Sequence, residues 1–124
     1  MYISIFGLFL LFSPLLYANS LGIVGRPDAH APIGVMGDHA HKKCSQLLVP
    51  VSGKIEIICE NKKIKFKKIL NYRLKEGHLI KPKTWCKIKF LTNNSILMVF
   101  CDQEYQFSDY IEKYKDFLKV IKKK

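Results

Sequence analysis

Two histidines one residue apart, His39 and His41 in "GDHAHKKCSQLLVPVSG", are the part of this 124-residue chain best suited to chemistry. On a β-strand, residues i and i+2 share a face, so the two imidazoles would project together into one side of a sheet. Such a pair has two uses. Joined by further donors it holds a metal, and without them, at a reference pKa near 6.5, it moves protons at neutral pH. A third reading leaves both as half-buried strand residues with no chemistry at all.

The elements that must position the pair are short and β-like. From His39 onward come "QLLVPV" (46–51), "KIEIIC" (54–59), "KIKFKKI" (63–69), "HLI" (78–80), "CKIKFL" (86–91) and "ILMVFC" (96–101). Turn signals separate them at Ser52-Gly53, Glu60-Asn61, Glu76-Gly77 and Asn93-Asn94-Ser95, a texture that predicts an all-β sandwich or small barrel. Alternation sets Ile55 with Ile57, and Ile64 with Phe66, on an inner face and turns the lysines of Lys62–Lys68 to solvent. That basic run therefore reads as a solvated strand face rather than a nucleic-acid site, since aromatics able to stack on bases are scarce there. The closing segment "SDYIEKYKDFLKVIKKK" switches to helical spacing, with Tyr110, Ile111, Tyr114, Phe117, Leu118 and Ile121 on one stripe. Ser108 or Asp109 would cap that helix, and Lys122–Lys124 would complement the negative end of its dipole.

Ahead of the histidines the pattern is weaker. Residues 1–20 form a leader-like apolar stretch, broken by Ser13-Pro14 and ending in small residues that suit a secretion signal. Residues 21–38, rich in glycine and proline, read as a connector without a core element, leaving 39–124 as the single domain. The length fits one compact core. A formal charge of +11 favours anionic partners in general, although the lysines are spread through the chain. The four cysteines, Cys44, Cys59, Cys86 and Cys101, lack metal-binding spacing and disulfide density, and read as buried small hydrophobes in a reducing compartment.

Beyond the histidine pair, the order His39-Ala40-His41, Gln46, Gly53 and then Gly77, Pro82 and Trp85 resembles the two motifs of a cupin barrel. The expected acid is replaced by Gln46, and Cys86 and Lys87 stand near the position of the third histidine, which disfavours a catalytic metal. A more specific likeness follows. His39-Ala40-His41-Lys42, Gln46, Val51-Ser52-Gly53, "GHLIKPKTW", and Tyr105 followed by Asp109-Tyr110-Ile111, Tyr114 and Phe117 resemble the WxcM-like (FdtA-type) sugar 3,4-ketoisomerases over about residues 37–121.

That resemblance implies an RmlC-like jelly roll with one C-terminal helix, and a homodimer that converts dTDP-4-keto-6-deoxyglucose to the 3-keto sugar without metal or other cofactor. It places the activity in the cytoplasm, in nucleotide-sugar and polysaccharide biosynthesis, with no nucleic acid or membrane as partner of the domain. By the same resemblance His41 is the base that carries a proton from C3 to C4 and His39 shuttles the hydroxyl proton, while Gln46, Trp85 and Lys43 bind substrate. The likeness is expected to stop upstream of Gly37, with the family's N-terminal strands missing or replaced: Met36-Gly37 stands where the family has Arg-Gly, Arg26 precedes Arg73 alone, and no tyrosine lies between Tyr17 and the histidines. One account of that seam is a secreted-protein segment joined to the domain. Two alternatives remain: a cupin binding module without catalysis, and a secreted metal-binding protein using Asp28, His30, Asp38, His39 and His41.

Overall fold

The computed structural model describes residues 2–4, 20–25 and 35–123, with side chains from Asp38 onward. The strands are β1 (Tyr2–Ser4), β2 (Ser20–Gly25), β3 (Val35–His41), β4 (Gln46–Ser52), β5 (Lys54–Glu60), β6 (Lys65–Asn71), β7 (Glu76–Ile80), β8 (Trp85–Phe90), β9 (Ile96–Cys101) and β10 (Tyr110–Ile111), followed by helix α1 (Tyr114–Lys122). They form two five-stranded sheets, in the orders β1-β7-β4-β9-β2 and β10-β3-β8-β5-β6, and every described pairing is antiparallel.

The sheets face each other across one core. Leu48, Ile80, Leu97 and Val99 from the first meet Ile55, Ile57, Cys59, Leu70, Cys86 and Phe90 from the second. This two-sheet sandwich is the jelly roll that the family resemblance implies, and the period-2 alternation of β5 and β9 supplies its inward apolar faces. The β4–β5 turn depends on Gly53, whose φ of +73° lies in the left-handed region. A side chain there would also collide with Thr92 Oγ1 and Ser95 Oγ, which bond to each other and tie the turn to Lys54.

Three sequence expectations change. Residues 21–38, read as a connector, contain most of β2, paired with β9, and the start of β3, paired with β8, so the sheets extend into this segment. Strand β6 begins at Lys65, which leaves Ile64 55% exposed in the preceding turn, and it turns Lys68 inward on the same side as Phe66 and Leu70. The third change bears on the site. The helix begins at Tyr114 instead of near Ser108, its N-cap position is Lys113 without a side-chain cap, and residues 107–111 form a 3₁₀ turn followed by β10. Helical periodicity alone could not reveal that the open edge of β3 captures Tyr110 and Ile111 into the sheet.

A nine-residue helix is marginal in isolation, and α1 is held by its contacts. Phe117, fully buried, packs with Ala40, Trp85 and Ile111 on the outer side of the second sheet, a burial worth roughly 2–3 kcal/mol. Ala40 thus faces the helix, and its neighbours on β3 face the interior.

Candidate active site

His39 and His41 lie on the inner face of β3, as the i, i+2 spacing requires. Their Nε2 atoms are 3.1 Å apart. His41 is buried, and its Nδ1 is 3.0 Å from Asp109 Oδ2. The three side chains therefore form a hydrogen-bonded row, His39–His41–Asp109.

Asp109 reaches His41 because β10 pairs with β3 in a register that sets Tyr110 opposite His41. The loop after β3 locks the carboxylate: Oδ1 accepts the N–H of Lys43 at 2.8 Å and Oδ2 that of Cys44 at 3.2 Å. Burial pushes the Asp109 carboxyl up, but these backbone donors and His41 together outweigh it and hold the group below its ordinary value. An ionised Asp109 can only accept, so it fixes the proton of His41 on Nδ1 and leaves Nε2 with the lone pair.

His39 is pushed down to about 4, chiefly by desolvation and then by the nearby His41, against a smaller upward pull from Asp38. It is neutral at physiological pH. The Tyr110 ring packs on both imidazoles, with centroids 4.3 Å from His41 and 4.9 Å from His39. Its hydroxyl is shifted upward, first by burial and then by Cys101 and Tyr105. On the strand side, the main-chain N–H of Lys83 donates to the His41 carbonyl at 2.7 Å and steadies the end of β3.

The other residues singled out from the sequence are dispersed. Gln46 faces inward on β4 opposite Cys101, and its amide donates to Cys101 Sγ at 3.6 Å instead of to an imidazole. The Lys43 side chain is exposed, and what it supplies to the site is its backbone N–H to Asp109. Trp85 is buried on the outer face against Phe117 and Tyr114, with its indole N–H donating to Asp38 Oδ1 at 2.7 Å. This is a packing role, on the side of the sheet away from the histidines. Tyr17, Arg26, Asp28 and His30 lie outside the described residues, as does most of the leader-like stretch. No described helix is long and apolar enough to cross a membrane.

Sequence reasoning missed Asp109 as part of the site. It looked for the acid at position 46, and the fold brings one from the far end of the chain. Tyr110, read as helix packing, stacks on the relay. The only sequence signal for either was the Asp109-Tyr110-Ile111 motif itself.

Comparison with known proteins bears on the family and the fold. The model of the family described as FdtA: WxcM-like, C-terminal, matches residues 29–122, and so begins upstream of Gly37, where the likeness was expected to stop. A TDP-4-oxo-6-deoxy-alpha-D-glucose-3,4-oxoisomerase of Aneurinibacillus thermoaerophilus is 31% identical over 87 residues, or 70% of this chain, and the chain spans 62% of that curated relative's length. Among solved structures, the WlaRB TDP-quinovose 3,4-ketoisomerase of Campylobacter jejuni superposes with a TM-score of 0.71 at 29% identity, covering 84% of this chain and 77% of its own. QdtA of Thermoanaerobacterium thermosaccharolyticum, a sugar 3,4-ketoisomerase in complex with TDP, shares the fold with a TM-score of 0.75 at 24% identity, covering 85% and 74%. With more than half of its length matched by the family model, and with the jelly roll in place, the chain belongs to the FdtA family, WxcM-like, C-terminal.

Proposed function

We propose that this chain is a sugar-nucleotide 3,4-ketoisomerase that converts TDP-4-keto-6-deoxyglucose to a TDP-3-keto-6-deoxyhexose by proton transfer. The observation that carries the reading is the row His39–His41–Asp109, in which a buried imidazole has a carboxylate on one nitrogen and a second, neutral imidazole on the other. Isomerisation requires breaking C3–H and O3–H and forming C4–H and O4–H. His41 Nε2 takes the C3 proton while Asp109 stabilises the imidazolium that forms, and an enediol results. The same nitrogen returns the proton to C4. His39, with its depressed basicity, passes the O3 proton towards O4 without trapping it.

No step needs an oxidant or a hydride carrier, because the two carbons exchange oxidation states within one molecule. Gln46, inward-facing and half-buried, is available to a sugar oxygen. The relatives' activities support this reading, as does the likeness to a TDP-bound structure. By the same reading the chain acts in the cytoplasm as a homodimer, in nucleotide-sugar biosynthesis that feeds a surface polysaccharide.

The test is incubation of purified protein with TDP-4-keto-6-deoxyglucose in deuterated water, followed by NMR of the product. A 3-keto product is expected, with solvent deuterium at C4 to the extent that the proton held on His41 exchanges before its return. A folded sample that yields neither product nor exchange overturns the isomerase reading and leaves a binding module.

A further inference from the structure

Two members of the relay, His41 and Asp109, also belong to a cluster of metal-type donors whose thiol proton transfer does not use. His41, Cys44 and Asp109 each offer a ligand atom, and these atoms lie within 4.8 Å of one another. His41 and Cys44 are buried and Asp109 is half-buried. A second thiol is at hand, since Cys101 lines the same cavity as the other three. That cavity, about 30 Å³, also touches Tyr105 and Tyr110. It is far too small for a sugar, and a space of this size accepts one ion or one water.

We propose that Cys44, Cys101, His41 and Asp109 form a site for a single thiophilic divalent cation such as zinc, whose occupancy switches the proton relay off. Two sulfurs, one imidazole and one carboxylate are a four-donor set of the kind that selects zinc over magnesium or calcium. One separation is already close to what an ion needs. His41 Nδ1 and Asp109 Oδ2 are 3.0 Å apart, and ligand bonds near 2.0–2.2 Å at a tetrahedral ion need only a few tenths of an ångström more.

The consequence for catalysis, which rests on the isomerase reading, follows from the tautomer. A cation on Nδ1 displaces the proton that Asp109 holds there, and a neutral imidazole then carries its proton on Nε2. The lone pair required to abstract the C3 proton is gone. The cation is therefore an inhibitor and takes no part in the isomerisation.

The test begins with metal-free full-length protein titrated with Co²⁺ as a spectroscopic probe and Zn²⁺ as competitor. One equivalent of Co²⁺ is expected to bind with a thiolate charge-transfer band, which Zn²⁺ abolishes and Mg²⁺ leaves unchanged. Cys44→Ser and Cys101→Ser, each checked for folding by circular dichroism, are expected to lower the band and weaken affinity on the order of 100-fold. Absence of stoichiometric binding, or a band unaltered in both variants, overturns the site. Isomerase assays with Zn²⁺, each variant measured against its own metal-free rate, are expected to show inhibition reversed by chelator in the parent protein and relieved in both cysteine variants. Stoichiometric binding with undiminished turnover overturns the switch. Binding by a protein that shows no isomerase activity even when metal-free would sustain the site and overturn the proposed function instead.

Discussion

Two buried histidines occupy the interior of this sandwich, and they have opposite surroundings. His41, on β3, has a partner on each nitrogen: Asp109 on Nδ1 and His39 on Nε2. His78, on β7, is 4% exposed, lies against the Phe66 ring, and has an Nδ1 without a hydrogen-bond partner among the described residues. Burial, with a smaller push from the positive charge of Lys68, moves His78 down to about 4. Glu76, two residues earlier, also has a buried oxygen without a partner among the described residues. Burial alone makes a histidine neutral and destabilising; an anchored carboxylate beside it fixes the tautomer and produces a base.

The contrast can be broken most sharply at His41. In His41→Asn the isomerase rate is expected to fall about 10³-fold or more, as for loss of a general base, and steady-state kinetics with product NMR would measure it. A variant within ten-fold of the parent would place the base elsewhere.

His78 is expected to matter for stability and not for turnover. Its folded-state pKa of about 4 lies below the ordinary 6.5, so the unfolded chain binds the extra proton between these values. Stability is therefore complete above about pH 6.5 and is lost as pH falls towards 4, by about 3 kcal/mol for this one group. His39 adds a loss in the same window. Denaturant unfolding of His78→Leu from pH 7 to 4 should show a shallower decline by about that amount, with isomerase activity retained. An unchanged slope would show that His78 already meets solvent.

Asp109→Asn sharpens the comparison by making His41 more like His78. A drop of about 10- to 100-fold in kcat with little change in KM is expected, because the amide no longer enforces one tautomer or stabilises the imidazolium. A purely structural role for Asp109 would show instead as a lower melting temperature with kcat preserved. The smallest effect belongs to Lys43→Ala. It keeps the N–H that binds Asp109 and removes a solvent-exposed side chain, so stability should move by no more than about 0.5 kcal/mol and KM by less than about two-fold. A large rise in KM would return Lys43 to the substrate-binding role that the family resemblance implies.

The strands were largely legible because alternation is local: β4, β5 and β9 sit within a residue or so of the runs read from the sequence. The shared face of His39 and His41 was legible for the same reason. The segment 107–113 was misread, since Tyr110, Ile111, Tyr114 and Phe117 satisfy helical spacing, whereas their fate depends on whether β3 offers a free edge. Trp85 could not be assigned a side, because the choice between barrel mouth and helix underside is made by the packing of α1.

The sequence by itself determined a β-sandwich with two imidazoles on one strand face, because side-chain direction along a strand follows from a period of two. Only the tertiary structure decided what those imidazoles become. Asp109 is 68 residues from His41 in the chain and 3.0 Å from it in space. No local rule connects them; the β3–β10 pairing and the N–H groups of Lys43 and Cys44 do, by holding an ionised carboxylate where a buried nitrogen needs a partner.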